Sequence, residues 1–236
     1  MIARPAAGKS EIINYLKNLL EAERKEKFHI GKVHVIDDFP FLWRWFEEDA
    51  ILSGMGKARL YTDENGYFRK EYFWHLLIRM MDLEFEKFIR DTDNSHEFTI
   101  ILEFSRGKEH GGYRKAFEHL QKDTRDLLPI LYINVSWKES LRKNRARFNP
   151  ERPDSILQHA LPDEKMKKLY SETDFFEMRE HMSESNNLIS IYDTNMPFVV
   201  FDNEDDVTTD PGPELENRLA DCMADLWGKI ISSFRA

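Results

Sequence analysis

Three stretches of the chain carry apolar side chains at nearly every position: Thr99–Leu102 in "EFTIILEFSRG", Ile130–Ile133 in "LPILYINVS" and Phe198–Phe201 in "MPFVVFDNEDD". Short runs without polar alternation predict strands buried on both faces. A further strand is predicted in "KVHVIDDFP", where Val33, Val35 and Ile36 are β-branched and the run ends in two acids and Pro40. Between these runs the period changes to that of a helix. Ile12, Ile13, Leu16, Leu19 and Leu20 recur at helical spacing in "EIINYLKNLLEAERK". Phe73, Leu76, Leu77, Met80, Met81, Leu83, Phe88 and Ile89 do so in "RKEYFWHLLIRMMDLEFEKFIRD", and a helix is expected from about Tyr113 to Asp126. "WKESLRKNRARF" reads as a helix that turns strongly basic, and Leu215, Leu219, Cys222, Met223, Leu226 and Ile230 mark a closing amphipathic helix. Apolar strands separated by helices predict a parallel sheet covered on both faces. No repeat interrupts the pattern, and "TTDPGPE" is too short for a domain boundary, so one domain over residues 1–236 is expected.

The first helix is preceded by "ARPAAGKS", which fits the loosened form of a phosphate-binding loop. Small residues let backbone N–H groups curl around phosphate oxygens, and the helix N-terminus adds its positive dipole end. Lys9 is then expected to reach the β- and γ-phosphates, and the Ser10 hydroxyl to ligate Mg²⁺. The stretch Arg4, Pro5, Ala6, Ala7, Gly8, Lys9, Ser10 and Glu11 is accordingly the expected cofactor-binding segment. Only Met1, Ile2 and Ala3 remain for the strand that should lead into it, so a truncated first strand is expected.

Composition narrows the field. A net charge of −9 argues against nucleic-acid polymers and anionic membranes as general partners. The single cysteine, Cys222, excludes an intrachain disulfide and a cysteine-built zinc site, and suits a reducing cytoplasm. No apolar run reaches membrane-spanning length, and no signal peptide fits an N-terminus occupied by the loop. The histidines, His110, His119, His159 and His181 among them, are scattered without ligand spacing and are assigned no metal.

In parallel α/β sheets ligands gather at the carboxyl ends of the strands. The second strand ends in Asp37 and Asp38, either of which suits a group that orients or deprotonates an acceptor hydroxyl; turn formation is the plainer use of such acids. The third ends in Glu103, where phosphate-loop enzymes hold Mg²⁺, followed by Arg106, suited to a substrate phosphate or to that carboxylate; a structural ion pair is the plainer reading. Arg142, Lys143, Arg145, Arg147 and Arg152 form the densest basic patch, opposed nearby only by Glu139 and Glu151. Arg142 and Arg145 share a helical face and suit phosphate oxygens, the alternative being a solvated basic helix end. Trp43, Trp45 and Phe46 are read first as core and second as a wall for a ring. Asn203, Glu204, Asp205 and Asp206 are placed to offer backbone contacts to an adenine ring, or to form an acidic surface loop.

Taken in order, "ARPAAGKS", "VIDDFPFLW", "IILEFSR", "INVSWKESLRKNRARF" and "FVVFDNEDDVT" resemble the P-loop nucleoside and nucleotide kinases, a group that includes adenylate kinase-like and deoxynucleoside kinase-like enzymes. The resemblance spans Ala3 to about Thr208. It implies a three-layer α/β/α fold with a mostly parallel five-stranded sheet, a helical acceptor-binding insert over 41–93 and an Arg-bearing lid over 138–165. "DDFPFLW" looks like that family's Glu-Pro-Val-x-x-Trp segment, with Asp38 or Asp37 as the activating carboxylate. Glu103 and Arg106 look like its Glu-Arg-Ser element, with Phe104 and Ser105 intervening. Arg142, Arg145 and Arg147 look like lid arginines, and the Asp202–Asp206 loop, Asn203 included, like the adenine-contacting turn. The chain has no Asn-Lys-x-Asp guanine signature and no strand ending in Asp-Glu. The expected function is transfer of the γ-phosphoryl of ATP, with Mg²⁺, to a small acceptor such as a nucleoside or nucleotide. The other reading is an ATP-binding regulatory or assembly module without kinase activity.

Overall fold

The computed structural model describes residues 1–147, 151, 160–180 and 188–233. Its architecture is α/β. Strand β1 is only Ile2–Ala3, yet it is central: it pairs in parallel with Tyr132 and Ile133 of β4 (Ile130–Asn134). Strand β4 pairs in parallel with β6 (Thr194–Asp202), and β5 (Leu188–Ile191) adds an antiparallel edge. A separate parallel pair, β2 (Lys32–Asp37) and β3 (Phe98–Glu103), runs in register from Lys32 opposite Phe98 to Asp37 opposite Glu103. One parallel bridge between Ile2 and Phe104 joins this pair to β1, so the strand order across both sheets is β2-β3-β1-β4-β6-β5. The mostly parallel five-stranded sheet expected is found as a four-stranded piece, β1-β4-β6-β5, in which β5 is an additional antiparallel edge, beside the two-stranded parallel pair β2-β3.

Alternation along the strands sends side chains to two cores. On one face α1 (Lys9–Asn18), α2 (Glu21–Phe28) and α10 (Pro213–Ser233) deliver Ile12, Leu16, Phe28, Leu215 and Leu219 onto Ala3, Leu131, Ile133, Val199 and Phe201. On the other, α4 (Tyr72–Asp91), α5 (Gly112–His119) and α9 (Phe175–Glu180) deliver Ile78, Met81, Phe117 and Phe175 onto Ile2, Ile36, Leu102, Tyr132 and Phe198. Tyr132 and Phe175 stack with ring centroids 3.8 Å apart. Strands buried on both faces need apolar residues at successive positions, which is why the pattern is continuous rather than alternating.

Two predicted helices are broken. Extended backbone at Leu19 and Leu20 separates α1 from α2, and the buried Arg24 side chain donates to the carbonyls of Leu16, Leu19 and Gly31, satisfying the acceptors that the break exposes. Likewise Leu120 and Gln121 are extended between α5 and α6 (Lys122–Asp126), with the Gln121 N–H donating to the buried Asp82 carboxylate at 2.8 Å.

The segment expected as a helical insert contains α3 (Phe39–Gly54) and α4, joined by a loop. It has its own aromatic core, in which Trp45 stacks on Tyr61 at 5.0 Å and Phe68 meets Trp74 edge-on at 4.8 Å. A fully buried carboxylate organises the loop: Asp49 accepts from the backbone N–H groups of Leu60, Tyr61 and Thr62 and from the Thr62 hydroxyl. Burial alone would raise its pKa, and these hydrogen bonds outweigh burial and lower it. Beyond β4 the chain continues as α7 (Trp137–Arg147) and α8 (Asp163–Tyr170). Of the expected lid, residues 148–150 and 152–159 lie outside the described residues, as do Arg152, His159 and His181.

Candidate active site

The loop from Arg4 to Gly8 connects β1 to α1 and turns through two left-handed residues, Ala6 at φ 56° and Gly8 at φ 108°. Gly8 has a second reason to lack a side chain: a Cβ there would stand 2.5 Å from the Thr208 hydroxyl and 2.7 Å from the Asn203 amide nitrogen. Asn203 is fully buried behind the loop and donates to the Ala7 carbonyl at 2.9 Å and to Thr208 at 2.8 Å. Ser140 on α7 donates to the Pro5 carbonyl at 2.7 Å. The loop is thus held from behind through its carbonyls. Its helix has no side-chain N-cap, so the first-turn amides of α1 are open to an anion.

Lys9 and Ser10 begin that helix and reach toward the end of β3. The Lys9 ammonium donates to the Ser105 hydroxyl at 2.7 Å, and the Ser10 hydroxyl donates to Glu103 at 3.2 Å. Glu103 is the register partner of Asp37. The Asp37 carboxyl is pushed up to about 7, first by burial and then by the negative charges of Asp38 and Glu103, while the Phe39 N–H and Lys9 oppose the rise. Asp38 faces a different partner. Arg106, with only 2% of its surface exposed, donates to Asp38 at 2.5 Å and to the backbone carbonyls of Ser105 and Trp74. Its guanidinium also lies 5.3 Å from the Trp74 ring centre. The structural ion pair weighed for Arg106 is present, with Asp38 rather than Glu103 as its partner.

These groups line one cavity of about 1230 Å³. Pro5, Ala6, Ala7, Lys9, Ser10 and Glu11 form the end of it where α1 begins; Arg4 and Gly8 are not on its wall. Arg4 instead donates to the Ser171 carbonyl at 3.2 Å. Asp37, Asp38, Glu103 and Arg106 lie between, and the insert supplies Trp43, Phe46, Tyr67, Phe68 and Trp74. Of the three aromatics read from "FLWRWF", Trp45 is core and Trp43 and Phe46 are wall.

The basic patch divides. Arg142, Lys143 and Arg147 line the cavity, whereas Arg145 is absent from its wall and pairs with Asp163 at 2.5 Å. Arg142 is shared by Glu139 and Asp206, Lys143 bonds Asp206 and Thr208, and Arg147 stands 3.6 Å from Glu11. The Asp202–Asp206 loop is pinned by its acids: Glu204 accepts from Ser136, and Asp205 pairs with Arg218. The Asn203 side chain supports the Arg4–Gly8 loop, and Asn203 is absent from the cavity wall.

Among the described residues no group of three or more His, Cys, Asp or Glu side chains is arranged to hold a metal. The Ser10–Glu103 pair fits a Mg²⁺ ion that takes most of its ligands from phosphate oxygens and water, as hard, strongly hydrated cations do. Residues that the pattern did not single out are Ser105, Thr208, Lys165, Lys168 and Tyr170, and His110 was read only as a scattered histidine; the three-dimensional convergence of β3, α8 and the β6 loop reveals them. No helix among the described residues is long and apolar enough to cross a membrane. No protein-family model and no curated protein sequence matches the chain.

Proposed function

We propose that the chain is an ATP-dependent phosphotransferase that moves the γ-phosphoryl group to a hydroxyl of a small acceptor, a nucleoside, nucleotide or similar metabolite. The observation that carries this reading is that Lys9 and Ser10, at the mouth of an uncapped helix, share one cavity with a carboxylate–arginine pair and an aromatic pocket. The triphosphate lies along the loop amides and Lys9, with Arg142 and Arg147 leaving their acids for phosphate oxygens. Mg²⁺, held by Ser10 and Glu103, supplies charge neutralisation at the β- and γ-phosphates when bound. Asp38, fixed by Arg106, accepts the proton of the acceptor hydroxyl as its oxygen bonds to the γ-phosphorus. The bond from that phosphorus to the bridging oxygen breaks, and ADP leaves. Most of the barrier is lowered by positioning and by fixed positive charge, as this reaction requires little covalent chemistry of the protein. The cavity's continuation past Asp38 into the aromatic pocket favours a transferase over a nucleotide-binding module, which needs no second pocket.

The test is transfer of labelled phosphate from ATP to a panel of nucleosides, nucleotides and small hydroxy compounds. An acceptor-dependent product that disappears in Lys9→Met, with the fold retained, supports the reading. Tight ATP binding with no transfer to any acceptor supports the module instead.

A further inference from the structure

His110 sits on a 3-10 turn, Lys108–His110, between β3 and α5. It is 97% buried by the measure of its 3% exposure, yet neither ring nitrogen has a hydrogen-bond partner among the described residues. Two unsatisfied polar atoms at such depth cost stability unless something else satisfies them. His110 is among the residues that line the cavity. Its surroundings leave it little freedom: it stacks on Trp74 with centroids 3.8 Å apart and meets Tyr170 edge-on at 5.8 Å. The turn itself is anchored, since the Lys108 N–H donates to the Glu172 carbonyl at 3.0 Å and a Cβ on Gly107 would collide with the Leu169 carbonyl. Trp74 thus touches both this imidazole and the Arg106 that holds Asp38. A rigid, neutral, unpartnered imidazole in the cavity that also holds Asp38 is a recognition group for a ligand atom.

We infer that His110 contacts the acceptor directly and hydrogen-bonds a second hydroxyl of it, distinct from the one that receives the phosphoryl group. This rests on the phosphotransferase reading above and adds the chemical class, a molecule with at least two hydroxyl groups such as a ribose-type sugar. A hydroxyl both donates and accepts, so it pairs with either tautomer of a neutral imidazole. An anionic group is the poorer fit at this point, because burial and the neighbouring Arg106 keep the ring uncharged and without the second N–H that an imidazolium would offer.

The experiment uses the full chain, MgATP and, as probes, adenosine, cytidine, guanosine and uridine with their 2′- and 3′-deoxy counterparts. With a probe that the wild-type protein phosphorylates, His110→Phe raises the acceptor KM by about tenfold, the worth of one lost buried hydrogen bond. It lowers kcat by less, and retained ATP affinity certifies the fold. His110→Gln, which keeps a polar tip, recovers part of the loss. One deoxy probe shows the same KM in wild type and His110→Phe, because the contact is already gone. An acceptor KM unchanged in His110→Phe while transfer persists overturns the role of His110 and leaves the phosphotransferase reading standing. A loss in His110→Phe that is equal for every probe, deoxy forms included, also overturns it. Absence of transfer to all of these probes from the wild-type protein overturns the ribose-type acceptor inferred here, while the phosphotransferase reading stands or falls on the wider panel of nucleotides and small hydroxy compounds.

Discussion

Asp37, the last residue of β2, and Asp38, which precedes α3, have different partners: Asp37 lies opposite Glu103 and near Lys9, whereas Asp38 is bonded to Arg106, which also bonds the Trp74 carbonyl. In the proposed reaction that division assigns Asp38 to the acceptor, and Asp38→Asn is expected to lower kcat by roughly 10²–10⁴-fold, the usual worth of a positioned base, when measured by labelled-phosphate transfer. Gly8 is constrained by both conformation and space, so Gly8→Ala combines a strained φ with a collision against Thr208 and Asn203. A loss of about 2 kcal/mol in stability, read by urea unfolding, and a weaker ATP affinity are expected. His110 makes a pH prediction. Its folded pKa is lowered to about 3, by burial first and then by Arg106 and His75, from an ordinary value of 6.5. The unfolded chain therefore takes up a proton below about pH 6.5 that the fold refuses, and stability falls with decreasing pH through that window at about 1.4 kcal/mol per unit. Urea unfolding at pH 7 and pH 5 is expected to show a smaller difference for His110→Phe than for the wild-type protein.

At the scale of elements, the insert is a small cluster whose connecting loop depends on one buried carboxylate. Asp49→Ala leaves the N–H groups of Leu60, Tyr61 and Thr62 without their acceptor. It is expected to cost about 3 kcal/mol and to weaken acceptor binding more than ATP binding, as comparison of the two KM values would report. The continuous apolar strands were legible because burial on both faces leaves no other pattern, and the loop-to-helix step into α1 was legible because small residues are followed by apolar residues at helical spacing from Ile12. Breaks at Leu19–Leu20 and Leu120–Gln121 were not, since the groups that compensate them, Arg24 and Asp82, act through tertiary contacts. Strand β5 was missed for a local reason: its hairpin turns at Tyr192 with φ 53° and Asp193, without the glycine that usually announces such a turn. The role of Asn203 was invisible for the opposite reason, because its partner Ala7 is 196 residues away in the chain.

Across the whole molecule, the two pieces of sheet are joined by the Ile2–Phe104 bridge and by the Met1 amino group, which donates to the Leu102 carbonyl at 2.8 Å, and β1 leads from there into the loop before Lys9. A ligand that engages the loop and the end of β3 together would therefore tie the two pieces to each other. Saturating MgATP at a hundredfold excess over Kd is expected to add about 2.7 kcal/mol of stability, visible as a rise in Tm. The central claim is that the loop and Lys9 bind a triphosphate, and titration calorimetry of the folded protein with MgATP tests it most directly. Saturable heat at one site per chain, with affinity falling sharply in Lys9→Met, is the predicted result. No heat from the wild-type protein, or equal affinity in Lys9→Met, would contradict the account.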